Sequence, residues 1–119
     1  LYLVQFVRMV YEDNQGSNYP PAYFKGIIKW SQDTEFGVNP GVSMDKNAQF
    51  VTATDGKPKG KTVKESKGNF YLFNVEDGQL QWRYQTNQMN WPMQLSSDGQ
   101  SVIGGSDDGS VYYWALKAE

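Results

Sequence analysis

The chain has 119 residues, room for one ordinary domain with a core but not for two. With 20% charged and 15% aromatic residues it is too aromatic and too weakly charged for a disordered tail, and a net charge of −2 excludes a globally basic nucleic-acid-binding domain. The absence of cysteine and histidine removes disulfides, thiolate metal sites, cysteine nucleophiles, the usual zinc ligand and the usual general base, which argues against hydrolase, metalloenzyme or triad chemistry.

In chain order, "LYLVQFVRMV" (1–10) is the longest apolar stretch. It contains Gln5 and Arg8 and falls well short of the roughly 20 residues that span a bilayer, so the chain reads as soluble. It fits a strand; a docking segment or short helix fits equally well. "YEDNQGSNYPP" is a polar loop, and no helix can run through Pro20-Pro21. Short runs rich in aromatic or β-branched residues then follow, each bounded by glycine, proline or a turn pair: "GIIKW" (26–30), "GVSMD" (41–45), "QFVTA" (49–53), "FYLF" (70–73), "GQLQWRYQT" (78–86), "PMQLS" (92–96), "SVIGG" (101–105) and "VYYW" (111–114). All read as strands. A basic stretch, "KPKGKTVKESK" (57–67), separates two of them, and Asp98-Gly99 and Asp108-Gly109 mark tight turns.

These runs form a repeat. "GIIKW" and "GQLQW" lie 52 residues apart, Pro40 and Pro92 again 52 apart, and "VSMDKNAQFVTATDG" aligns with "MQLSSDGQSVIGGSD" at an offset of 51. "GNFYLF" aligns with "GSVYYW" at 41, so the basic stretch is an insertion of about ten residues in the earlier copy. Without it the period is about 41, the length of a four-stranded blade.

The pattern "NFYLFNVEDGQLQWRYQT" followed by "MQLSSDGQSVIGGSDDGSVYYW" resembles the β-propeller repeats of bacterial and archaeal WD40-like and PQQ-like proteins. "LFNVEDGQLQW" (72–82) looks like the tryptophan-docking motif of the PQQ-type repeat, in which a glycine precedes by four residues a tryptophan that packs between blades. Gly78 and Trp82 match it, while Leu72, Asn74 and Asp77 depart from its small, acidic and threonine positions. The resemblance covers residues 26–116. It implies an all-β chain of four-stranded antiparallel propeller-type blades, an incomplete propeller of about two blades. Residues 1–25 are then an N-terminal strand plus polar linker, and 26–119 hold an outer D strand, one full A-B-C-D blade (42–86) with its B-C insertion, and a partial blade (93–119).

Such a chain cannot close a ring of roughly four to eight blades alone. Three states fit: a piece of a longer propeller, a subunit completed by another protein, or a copy completed by itself, the N-terminal D strand of one copy joining the A-B-C sheet of the next.

Each candidate site has a plainer alternative. Lys57, Lys59, Lys61, Lys64 and Lys67, against Glu65 alone, would share a loop face with Phe36, Val38, Met89, Asn90 and Trp91 and suit an anionic glycan, a phosphorylated surface or nucleic acid; the plainer reading is a solvated loop. Trp30, Trp82 and Trp114, with Gly26 and Gly78, read as inter-blade packing rather than a sugar or cofactor site. Trp91, whose counterpart is Asn39, is either a partner contact or a loop anchor. Asp98, Asp107 and Asp108 lack the ligand spacing of a calcium loop and read as turn residues, and Glu76-Asp77 as a solvated pair.

No catalytic constellation emerges, and no cofactor or metal is expected. The function expected is a non-catalytic interaction or assembly module, a protein-protein scaffold. The alternatives are a fragment of a PQQ-type quinoprotein or other propeller enzyme, and a binder of anionic glycan or nucleic acid through residues 57–67. Strands rich in Asn, Gln, Ser and Thr point toward a prokaryotic cell-surface or secreted setting.

Overall fold

The computed structural model describes residues 1–10, 22–57 and 66–116, and among these every regular element is a β-strand. The strands are β1 (Tyr2–Val10), β2 (Ala22–Ser31), β3 (Ser43–Met44), β4 (Phe50–Lys57), β5 (Lys67–Asn74), β6 (Leu80–Thr86), β7 (Gln94–Leu95), β8 (Ser101–Gly105) and β9 (Val111–Ala115). They form three antiparallel sheets in simple meander order: β1-β2, β3-β4-β5-β6 and β7-β8-β9. The chain is all-β, and residues 2–10 are a strand paired with β2 rather than a short helix.

The middle sheet lies between the other two, which explains its burial. A strand covered on one face alternates, whereas one covered on both faces does not. Residues 51–55 of β4 and 68–73 of β5 are buried without a break. Phe70 and Leu72 meet Met93, Leu95 and Val102 of the following segment, while Tyr71 and Phe73 point the other way, toward Leu1 and Trp30. Ser43 ties the short inner strands together: its hydroxyl oxygen accepts the backbone N–H of Leu95 at 2.9 Å, a donor that the edge of β7 would otherwise leave unpaired.

The repeat in the sequence is a repeat of hydrogen bonds. Asn39 N–H donates to Thr54 O as Trp91 N–H does to Gly105 O. Val75 N–H donates to Gln49 O as Leu116 N–H does to Gln100 O. The β3–β4 turn closes from Ala48 to Asp45, and the β7–β8 turn from Gly99 to Ser96. Both turns need a left-handed residue, and where the second has Gly99 at φ +72° the first holds Ala48 at +52°.

The β1-β2 ribbon follows the β5-β6 pairing at its base and then departs from it. Leu3 pairs with Trp30 as Leu72 pairs with Trp82, and the register slips just after each, between Leu3 and Val4 and between Leu72 and Phe73. Nine residues then join Leu72 to Trp82, while 26 join Leu3 to Trp30, so the first connection is 17 residues longer. The extra length is a two-stranded arm, residues 4–10 paired with 22–28. At about 3.3 Å per residue it extends the ribbon by roughly 20 Å. It accounts for a radius of gyration of 18.7 Å and extents of 65 × 43 × 21 Å, where a compact chain of this length would have a radius near 13.5 Å.

Candidate functional site

The contact that joins the ribbon to the middle sheet centres on Trp30. Its indole N–H donates to Val75 O at 2.7 Å, and its ring lies 6.0 Å from that of Phe73. Below it is Gly78, which closes the β5–β6 turn at φ +73° and whose missing Cβ would stand 2.5 Å from Trp30 Cδ2. Only glycine meets both demands. The next junction repeats the arrangement with Trp82, whose ring centroid is 4.9 Å from that of Trp114, while Phe70 meets Trp114 edge-on at 5.0 Å. Trp30, Trp82, Trp114 and Gly78 therefore all sit between sheets. Gly26 does not share this setting. It lies within β2 opposite Phe6, because the ribbon continues where Gly78 makes a turn.

The residues expected on the loop face come from distant parts of the chain and meet in part: Val38 bridges to Asp55, and the Asn39 side-chain amide donates to Asn90 O beside Met89. Phe36 is half-buried, and its backbone N–H donates to Asp55 at 2.9 Å. Met89 lies over Gly56, whose Cβ would fall 2.7 Å from the methionine Cγ. Trp91 is 51% exposed with its indole N–H bound to Asp107 at 2.7 Å, so a turn carboxylate fixes a ring that still faces solvent. Lys57 and Lys67 face each other across β4 and β5, two like charges side by side, whereas Lys59, Lys61 and Lys64 lie outside the described residues.

The most elaborate polar cluster centres on Asp55, which the sequence had not singled out. Fully buried, its carboxylate accepts hydrogen bonds from Asn69 N–H (2.8 Å), Asn69 Nδ2 (2.9 Å), Phe36 N–H (2.9 Å) and Tyr71 OH (2.7 Å). Four donors occupy the four acceptor positions of a carboxylate, which leaves none for a metal or a proton in flight. Its work is to pin the β2–β3 connection to the middle sheet. Burial pushes the Tyr71 hydroxyl up to about 12, with the Asp55 carboxylate reinforcing the rise.

Asp98 and Asp108 cap their turns as expected. Asp98 lies below its usual range because the Ser96 hydroxyl and the Gln100 N–H bind it, and Asp108 lies low through the Tyr112 hydroxyl. Among the described residues no group of three acids is placed to hold a metal ion. A groove of about 340 Å³ at the base of the arm is lined by Leu3, Val4, Lys29, Met44, Val75 and Glu76.

What remains exposed is the more telling feature. Phe70 and Leu72 of β5 are buried by the following sheet, yet their counterparts in β9, Val111 and Tyr113, are 73% and 67% exposed. Tyr71 and Phe73 are buried by the preceding ribbon, yet their counterparts in β1, Tyr2 and Val4, are 68% and 42% exposed. The positions that are buried at both internal junctions are apolar and open at the two ends of the stack. Comparison with family models, curated proteins and solved structures finds no match for the chain.

Proposed function

We propose that the chain is a non-catalytic, propeller-type assembly module whose two end sheets dock onto further β-sheets. One observation carries this reading: Val111 and Tyr113 at one end, and Tyr2 and Val4 at the other, occupy the positions that bury Phe70, Leu72, Tyr71 and Phe73 inside the stack. Monomeric proteins rarely leave a contiguous apolar face in water unless it meets a partner. Trp82 on Trp114 and Trp30 on Gly78 supply the pattern by which one sheet seats on the next. The saturated Asp55 carboxylate serves as a structural tie within this module.

The strand-donation route needs revision in this reading. β2 already has β1 along one edge, so a donated element would be the two-stranded ribbon and not a lone strand. Docking face to face, as the internal sheets do, requires no unpairing. An apolar fluorescent dye tests the reading at submicromolar chain concentration. Bound dye should fall severalfold in Tyr113→Lys and in Tyr2→Glu, because each charge is placed on an open face. Dye binding that neither substitution changes would mean that these faces are not open, and the assembly reading would fail.

A further inference from the structure

Which partner the end faces take is a separate question, and charge answers it. Residues 1–10 and 22–31, which hold the β1-β2 ribbon, carry Arg8, Lys25 and Lys29 and no acid. Residues 93–116, which hold β7-β8-β9, carry Asp98, Asp107 and Asp108 and no base. Among the described residues one end of the stack thus carries only basic side-chain charge and the other only acidic; with Glu12, Asp13, Lys117 and Glu119 counted, residues 1–31 still total +1 and residues 93–119 total −3. Ribbon against ribbon sets like charge against like, and the acidic sheet against itself is more unfavourable still. Ribbon against acidic sheet is the one pairing of ends that attracts.

Shape agrees with charge. At the internal junctions Leu1 and Trp30 of the ribbon pack on Tyr71 and Phe73, and Phe70 and Leu72 pack on Tyr112 and Trp114. A third junction of the same kind would set Val111 and Tyr113 of one copy against Tyr2 and Val4 of the next, joining the two open faces. Each face is short of a partner sheet, and each chain carries the sheet that the other end lacks. The arm adds Phe6 (67% exposed) and Phe24 (68%) beside Arg8, extending the basic end beyond the stack.

Resting on the assembly reading, we infer that the occupant of these faces is a second copy of this chain, docked head to tail: the β7-β8-β9 sheet of one copy seats on the β1-β2 ribbon of the next. Such a contact is heterologous, so copies continue until they close into a ring or run on as a filament.

Blocked ends test it. Tyr2→Glu stops one end and Tyr113→Lys the other, each new charge matching the sign of the sheet it would meet, and both residues are exposed, so the fold should survive; Val4→Glu and Val111→Lys are the second pair, with far-ultraviolet circular dichroism confirming strand content. By light scattering after size exclusion, the unmodified chain should show a mass that rises with concentration through multiples of 13.5 kDa. Each blocked variant alone should stay at 13.5 kDa, and an equimolar mixture should reach twice that value and stop, because each partner retains one working end. Raising salt from about 0.05 to 0.5 M should weaken the mixed dimer about tenfold, since screening removes the attraction between ends.

A chain that remains at 13.5 kDa at every concentration, or blocked variants that dimerise on their own, would overturn the second-copy proposal. If dye binding still falls in the same variants, the faces are open and what covers them is not a second copy. If it does not, the assembly reading falls as well.

Discussion

Three residues carry an unusual share of the local order. Ala48 holds a left-handed conformation that its counterpart Gly99 adopts freely, at a cost to an alanine of roughly 1–2 kcal/mol. Ala48→Gly should therefore stabilise the chain, by about 0.5–1 kcal/mol once the greater freedom of glycine in the unfolded chain is counted. Urea unfolding of the two chains side by side measures it. Gly78→Ala should act in the opposite sense. Its Cβ would enter the Trp30 ring and its φ of +73° would be strained, a combined loss of about 2–4 kcal/mol by the same assay. Tyr71 gives a pH signature. Its hydroxyl titrates near 10 in the unfolded chain and about 12 in the fold, so the stability it lends is complete below pH 10 and disappears as pH rises toward 12. Tyr71→Phe should lose about 1 kcal/mol at pH 7, through the bond to Asp55, and should lack this part of the alkaline loss. A profile that falls equally steeply with pH in both chains would contradict the assignment.

Among elements, the strands were legible because each is short, apolar or aromatic, and fenced by turn residues, and because two copies could be laid over each other. Asp98-Gly99 and Asp108-Gly109 turn where the sequence says they should. The arm was not legible in the same way. "LYLVQFVRMV" has the same apolar content whether it pairs within a sheet or projects from one, and nothing local distinguishes the two; the sign was the 17 extra residues between Leu3 and Trp30, visible only once Leu3 had been matched with Leu72. Gly26 shows the converse risk, since the Gly-x-x-x-Trp spacing recurs there without the turn that gives Gly78 its place. Asp55 escaped notice because a single aspartate in a strand has no motif, and its four donors come from two other segments. As the arm makes its contacts mainly within itself, replacing residues 4–29 with the nine residues that join Leu72 to Trp82 should leave two-state unfolding intact and change stability by less than about 1 kcal/mol. Loss of cooperative unfolding would show that the arm supports the stack.

At the scale of the molecule, the chain is a stack of three sheets held by the same aromatic contact used twice, with apolar residues exposed at both ends. The repeat alignment already contained the decisive comparison, since "GNFYLF" against "GSVYYW" sets Phe70 beside Val111 and Leu72 beside Tyr113. Burial supplied the rest: one pair is covered and the other is open. Small-angle X-ray scattering of the Tyr113→Lys chain at low concentration tests this arrangement most directly, because that variant keeps the stack but blocks one end. An open stack with its arm extended should give a radius of gyration near 19 Å, as the 18.7 Å of the Cα trace requires, and a longest dimension of about 65 Å. A radius near 13.5 Å would mean that the chain folds back over its own end faces, leaving no open surface on which another sheet could dock.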